Sequence, residues 1–184
     1  GIDSIDRDAC AELGIRIGNT PNAFTIPVAD SVFAYMLAFA RQTPWMDGHM
    51  KAGRWEKIAG KTLGECTIGI VGVGNIGKEV ARRAVAFGMT VLGNDIKPVD
   101  KHFLSATCME LTSLDDLLSR SDFVTLHTDL NDTSHHLMNA SRFGLMRCTA
   151  VLINTSRGPV VEESAMVAAL QSGQIAGAGL DVFE

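Results

Sequence analysis

Three features of this 184-residue sequence have the residue types and spacing to do chemistry: a glycine-rich run, an aspartate beyond it and an arginine after an apolar run. The run Gly72-Val73-Gly74-Asn75-Ile76-Gly77 fits the pattern G-x-G-x-x-G. Ile68, Ile70 and Val71 lead into it, and an amphipathic pattern with Val80, Ala84, Val85 and Phe87 leads out, so the glycines fall at a strand-to-helix turn. In that place Gly72 permits a tight turn, Gly74 lets the backbone approach a pyrophosphate, and Gly77 lets the helix pack closely on the strand. The first amides of the helix and its macrodipole favour an anion above them. A glycine-rich turn without a ligand is the competing reading. Asp95 closes the next apolar run, about twenty residues on, where a carboxylate that binds the adenosine ribose is expected. It would accept from the ribose hydroxyls and disfavour a 2′-phosphate by about 1–4 kcal/mol at contact, which selects NAD; an ordinary turn residue at a strand end is the alternative. Arg157 follows Val151, Leu152 and Ile153, at the carboxyl edge of a parallel sheet, where open α/β sheets bind ligands. A surface arginine paired with a neighbouring carboxylate is the other reading there.

From Thr67 onward short apolar runs alternate with helical patterns, the signature of βαβ units. Strands are expected at 67–71, 90–94, 123–127, 150–154 and 175–182, and helices at 76–87, 113–119, 141–145 and 162–171. The fold class is α/β: a Rossmann doubly wound parallel sheet with flanking helices. Ahead of it, Ile5, Ala9, Cys10 and Leu13 share one helical face, Gly14 stops that helix, and Ile15–Ile17 reads as a short strand. The turn formers Gly18-Asn19-Thr20-Pro21-Asn22 mark a boundary. A helix starting near Pro27 carries Val32, Phe33, Met36, Leu37 and Phe39, apolar nearly all round. Pro44 ends it, and a second helix runs through Trp45, Met46, Met50 and Ala52.

Hydrophobic residues make up 46% of the sequence, enough to bury one full core, and the net charge of −5 argues against a nucleic-acid partner. The apolar stretch Ser31–Ala40 is too short to span a bilayer, so no membrane association is expected. Cys10, Cys66, Cys108 and Cys148 are widely spaced with no C-x-x-C pair, so no metal site and no disulfide framework is indicated, and a reducing cytoplasm is the natural setting.

The chain resembles the D-2-hydroxyacid dehydrogenase family, the group of phosphoglycerate, glycerate, D-lactate and formate dehydrogenases. The resemblance runs through Asn19-Thr20-Pro21, Gly53-Arg54-Trp55, Gly69 to Gly77, Phe87-Gly88-Met89, Ser121 to His127, Leu152 to Gly158 and Ala178 to Glu184. Asp30 stands where the family usually has Glu, and Asp129 where it usually has Pro. The resemblance implies a phosphoglycerate dehydrogenase-like oxidoreductase that moves a hydride between NAD(H) and a small D-2-hydroxy or 2-oxo acid. Arg157 resembles the arginine that grips the substrate carboxylate and carbonyl oxygen. Asp181 is similar to the residue that holds the nicotinamide carboxamide, and Thr155 and Ser156 to the lining of the nicotinamide ribose. Thr128 and Thr133 resemble the loop over the adenosine half. His127 occupies a strand end near the cofactor and is not the acid/base histidine, while His135 and His136 are read as solvated surface residues.

By the same resemblance, residues 1–20 are a remnant of the substrate-binding domain, and residues 21–184 are the NAD-binding domain. A helical arm at about 27–58 packs on its twin in a homodimer, and Trp45 and Trp55 supply core or interface area. The acid/base histidine and its carboxylate are expected downstream of Glu184, so the isolated chain is expected to bind cofactor without turnover. An NAD-sensing, non-enzymatic corepressor of the same fold is the alternative.

Overall fold

The computed structural model describes residues 5–20 and 22–184. Five apolar runs and one exposed pair form a parallel sheet of β1 (Thr67–Val71), β2 (Thr90–Asn94), β3 (Glu110–Leu111), β4 (Phe123–Leu126), β5 (Val151–Asn154) and β6 (Gly177–Leu180). The spatial order is β3-β2-β1-β4-β5-β6. Such strands are buried on both faces and need helices on each. Along β1 the period-two alternation sends Ile68 and Ile70 to one core and Val71 to the other. Likewise Val151 and Ile153 point one way along β5 and Leu152 the other. Each such side chain contributes roughly 1.5–3 kcal/mol by leaving water.

Helices α2 (Thr25–Arg41) and α4 (Asn75–Ala86) cover the first face, and α6 (Leu114–Arg120), α7 (Ala140–Phe143) and α8 (Glu163–Gln171) contribute to the second. Helix α2 buries Ala29, Val32, Phe33, Met36 and Ala40 along one stripe, so it is apolar on one side rather than enclosed all round. Three contacts fix it: Phe33 stacks on Phe87 at 5.2 Å, the Arg83 guanidinium pairs with Asp30 at 3.0 Å, and Tyr35 Oη donates to Leu180 O at 3.1 Å. The Asp30 that departs from the family pattern is therefore the α2 half of a bridge to α4.

The helix begins at Thr25, before Pro27, because Asn22 takes a left-handed turn (φ 68°) and accepts from Thr25 N. Pro27 falls in the first turn, where its missing N–H leaves no bond unmade. It is not Pro44 that ends α2. Gln42 adopts φ 57° and caps α2, and Pro44 sits in the first turn of α3 (Thr43–Lys51). Helix α1 (Arg7–Glu12) forms but buries none of its residues. Ile15–Ile17 is not a strand; among the described residues nothing pairs with it, and Ile15 and Ile17 are exposed. The final strand is confined to Gly177–Leu180, and His127 lies just past β4 although its amide still bonds Val71 O. Helix α5 (Lys101–Thr107) and β3 lie where no element is expected from the pattern. Among the described residues, no helix is long and apolar enough to cross a membrane.

Candidate functional site

The ends of five strands line up in one row. Val71 is in register with Asn94 on one side and Leu126 on the other, Leu126 with Asn154, and Asn154 with Leu180. The next residues along each chain are Gly72, Asp95, His127, Thr155 and Asp181. Sheet order reverses between β1 and β4, so the loops leaving those two strands diverge and open a crevice at the carboxyl edge.

Gly72, Gly74, Asp95, His127, Thr128 and Thr133 line a cleft of about 220 Å³. That is below the ~300–1,000 Å³ of a drug-sized pocket, a size for part of a dinucleotide rather than the whole. Gly72 takes φ 91°, a conformation that disfavours a side chain, and a Cβ there would lie 2.5 Å from His127 O. A Cβ on Gly77 would lie 2.1 Å from Gly72 O, so the α4 helix can sit this close to the loop only without one. Helix α4 makes its first bond from Lys78 N to Gly74 O, leaving the amides of Asn75, Ile76 and Gly77 at its N-terminus without intrahelical partners. Ile76 packs into the first core, while the Asn75 side chain bonds Asn22 Oδ1.

Asp95 is held from two sides: Val73 N donates to Oδ2 and Lys97 N to Oδ1, each at 2.7 Å. The carboxylate thus ties the glycine loop to the end of β2. Across the cleft, Asn131 and Ser134 shape the loop. Ser134 Oγ donates to Asp129 O and accepts from Asn131 N, while Asn131 Oδ1 accepts from Thr133 N and Oγ1. With Asp129 in place of proline, these side-chain bonds set the path. His127 Nε2 lies 2.9 Å from Thr125 Oγ1, and burial pushes the ring down to about 3, so it is neutral at pH 7.

One strand further, Thr155, Ser156 and Arg157, on the turn leaving β5, and Asp181, just past β6, lie outside the lining of that cleft and have their own support. Asn154, 1% exposed, accepts from Ser156 N and Oγ through Oδ1 and donates through Nδ2 to Arg157 O. Its carbonyl accepts from Asp181 N at 3.0 Å. Arg157 Nη1 bonds Ser156 O at 2.7 Å. The sequence reading missed Asn154, Asn131 and Ser134 as site residues. An amide at the last position of a buried strand was the available signal for Asn154, since a buried amide must find partners.

The residues present fit a bound dinucleotide. The missing Cβ of Gly74 faces open space, with nothing within 4 Å, and the buried Thr128 and Thr155 hydroxyls have no hydrogen-bond partner in the protein. A buried polar group left unpaired costs about 1–3 kcal/mol, so a ligand that reaches these atoms gains by pairing them. Fold and site together define a doubly wound dinucleotide-binding domain.

Comparison with known proteins gives the family. The sequence model of the D-isomer specific 2-hydroxyacid dehydrogenase NAD-binding domain matches residues 33–184. The chain is 42% identical to a glyoxylate reductase of Thermococcus onnurineus over all of its own length and 58% of the relative's. It is 37% identical to a D-3-phosphoglycerate dehydrogenase of Methanocaldococcus jannaschii, covering 36% of that protein. A D-lactate dehydrogenase of Aquifex aeolicus, solved with NAD and lactic acid, superposes with a TM-score of 0.93 at 36% identity, over 100% of this chain and 56% of that one. The chain belongs to the D-isomer specific 2-hydroxyacid dehydrogenase family, and its residues 33–184 match the family's NAD-binding domain. It spans little more than half the length of the glyoxylate and lactate enzymes.

Proposed function

We infer that this chain is the cofactor half of an enzyme that interconverts a small D-2-hydroxy acid and the corresponding 2-oxo acid. The observation that carries the reading is the position of Arg157 on the turn leaving β5, beside the strand whose loop walls the cofactor cleft, with its backbone clamped by Asn154. In this reading the α4 N-terminus holds the pyrophosphate, and Asp95 and the loop of Thr128 and Thr133 hold the adenosine half. Thr155, Ser156 and Asp181 face the nicotinamide half. When bound, NAD(H) accepts or supplies the hydride exchanged at C2 of the acid. Arg157 binds the substrate carboxylate and stabilises the carbonyl oxygen through its planar fork. His127 is poorly matched to the proton transfer in this reading, because burial disfavours its charged form and puts its pKa, about 3, far from neutral pH, where it makes a weak base and holds no acidic proton. The named relatives are reductases and dehydrogenases, and the corepressor alternative draws no support from them.

The experiment is a steady-state assay of the whole enzyme with NADH and glyoxylate, hydroxypyruvate or pyruvate, before and after Arg157→Gln. The reading expects kcat/KM to fall by about 10²–10³ with NADH affinity unchanged. Equal activity in the variant would remove Arg157 from the chemistry.

Two further assignments belong to the same reading. Residues 1–20 form part of a separate substrate domain, which is supported, among the described residues, by a helix α1 with no buried residue and by Leu13, 73% exposed. The arm of α2, α3 and the following segment to residue 58 packs on a second copy. Phe24, Ile26, Trp45, Met50 and Trp55 on or beside it are exposed, Trp55 at 83%, and large apolar side chains left exposed along one arm are what a second copy would cover. Sedimentation showing a dimer at micromolar concentration supports this; monomer alone contradicts it.

A further inference from the structure

Away from the cleft, His135, His136 and Glu184 bring three ligand atoms within 4.8 Å of one another. The loop that carries the two histidines turns at His136, whose φ of 47° lets both rings project together, stacked with centroids 4.0 Å apart and planes 29° from parallel. His136 Nε2 lies 3.0 Å from Glu184 Oε1. The backbones of the three residues are anchored from behind. His135 N donates to Asn131 O at 2.9 Å, His136 N to Pro159 O at 2.8 Å, and Glu184 N to Glu163 Oε1 at 2.6 Å.

We propose that His135, His136 and Glu184 form a binding site for a divalent transition cation of the zinc class, bridging the loop beside the cofactor cleft and the segment that follows Asp181. Two imidazoles and a carboxylate are a donor set for Zn²⁺, which takes nitrogen and oxygen at about 2.0–2.2 Å in a tetrahedron, with water at the fourth position. Bonds of that length put ligand atoms roughly 3.3–3.5 Å apart. The His136–Glu184 pair is already near that separation, and a rotation of the exposed His135 ring closes the remainder. Cysteine spacing in the sequence gives no sign of the site, because Glu184 lies far along the chain from the histidines and no cysteine takes part. A bound cation would cross-link the 131–138 loop to residues 182–184, two segments that the protein otherwise joins here by the His136–Glu184 pair.

The test is calorimetric titration of the whole chain with ZnCl₂, repeated on His135→Ala, His136→Ala and Glu184→Gln, with His102→Ala as a control. Co²⁺ broadening of backbone amide resonances maps the location. The proposal expects one saturable equivalent in the parent and the control, weakened at least about tenfold in each of the three variants, with broadening centred on residues 134–137 and 183–184. Folding of each variant is checked by its amide spectrum; His135 is exposed, so its substitution tests the site even if His136→Ala perturbs the loop. Absence of saturable binding, unchanged affinity in His135→Ala and Glu184→Gln, or broadening centred on the His49–Glu56 pair or on Cys108 and Cys148 overturns it.

Discussion

The two halves of the strand-end row are built differently. On the β1, β2 and β4 side the walls stand apart, the Gly74 backbone faces open space and the Thr128 hydroxyl is buried unpaired. On the β5 and β6 side the Thr155 hydroxyl is likewise unpaired, but Asn154 satisfies the backbone of the turn with its own side chain, and the Gly158 backbone lies so close to Phe183 that a Cβ would sit 1.8 Å from its carbonyl oxygen. The first half is completed by a ligand, and the second is a rigid seat. On the proposed reading, a cofactor that must bind and leave needs the open half, whereas an arginine that is to hold a small substrate in one orientation needs the fixed one.

Substitutions can break that contrast, and the largest effect is expected in the glycine loop. In Gly77→Val the new side chain meets Gly72 O. The variant should lose measurable NADH binding by fluorescence titration and about 4 kcal/mol of stability, the upper end of what a single substitution costs. Next comes Asn154→Ala, which strands Ser156 N and Arg157 O without their side-chain partner. A cost of about 2–4 kcal/mol in urea unfolding is expected, with NADH affinity less affected than in the loop variant. If Asn154→Ala instead matched Gly77→Val in cofactor binding, the two halves would not be separable.

A pH effect of intermediate size tests the first half without changing a loop. The His127 folded value, about 3, lies below the unfolded value near 6.5, so the unfolded chain takes up the proton first and stability falls as pH drops below 6.5. Between pH 6.5 and 5 the loss is about 2 kcal/mol. Substituting the neutral His127→Gln should flatten that interval, and an unchanged slope in the variant would show that other groups carry it. The smallest effect is on selectivity. Asp95→Ala should narrow the preference for NADH over NADPH by roughly tenfold, the low end of what a like charge at contact produces. Equal preference before and after would remove Asp95 from the ribose.

Much of this architecture was legible in the sequence, for physical reasons that differ by element. The strands β1, β2, β4 and β5 are apolar runs because both their faces are buried, and the glycines report backbone contacts that exclude a Cβ. Helix α5 left little trace because it buries only Phe103 and Thr107, and β3 is two exposed residues whose place is set by pairing with β2. Ile15–Ile17 has strand-like residues but no neighbour among the described ones. In the site, Gly72, Gly74, Asp95, His127, Thr128 and Thr133 come together in one cleft, as their spacing and family blocks imply. Asn154 escaped notice because its work is on its own turn, and the nearness of Glu184 to His136 is a matter of tertiary packing that no local pattern encodes.

The central claim is that the open half of the row is the cofactor site. Titrating the isotopically labelled chain with NADH while following backbone amide resonances tests it directly. The account expects one-to-one saturation with the largest shifts at Val73, Gly74, Ile76 and Thr128; saturation that leaves those four unmoved, or no saturation at all, would contradict it.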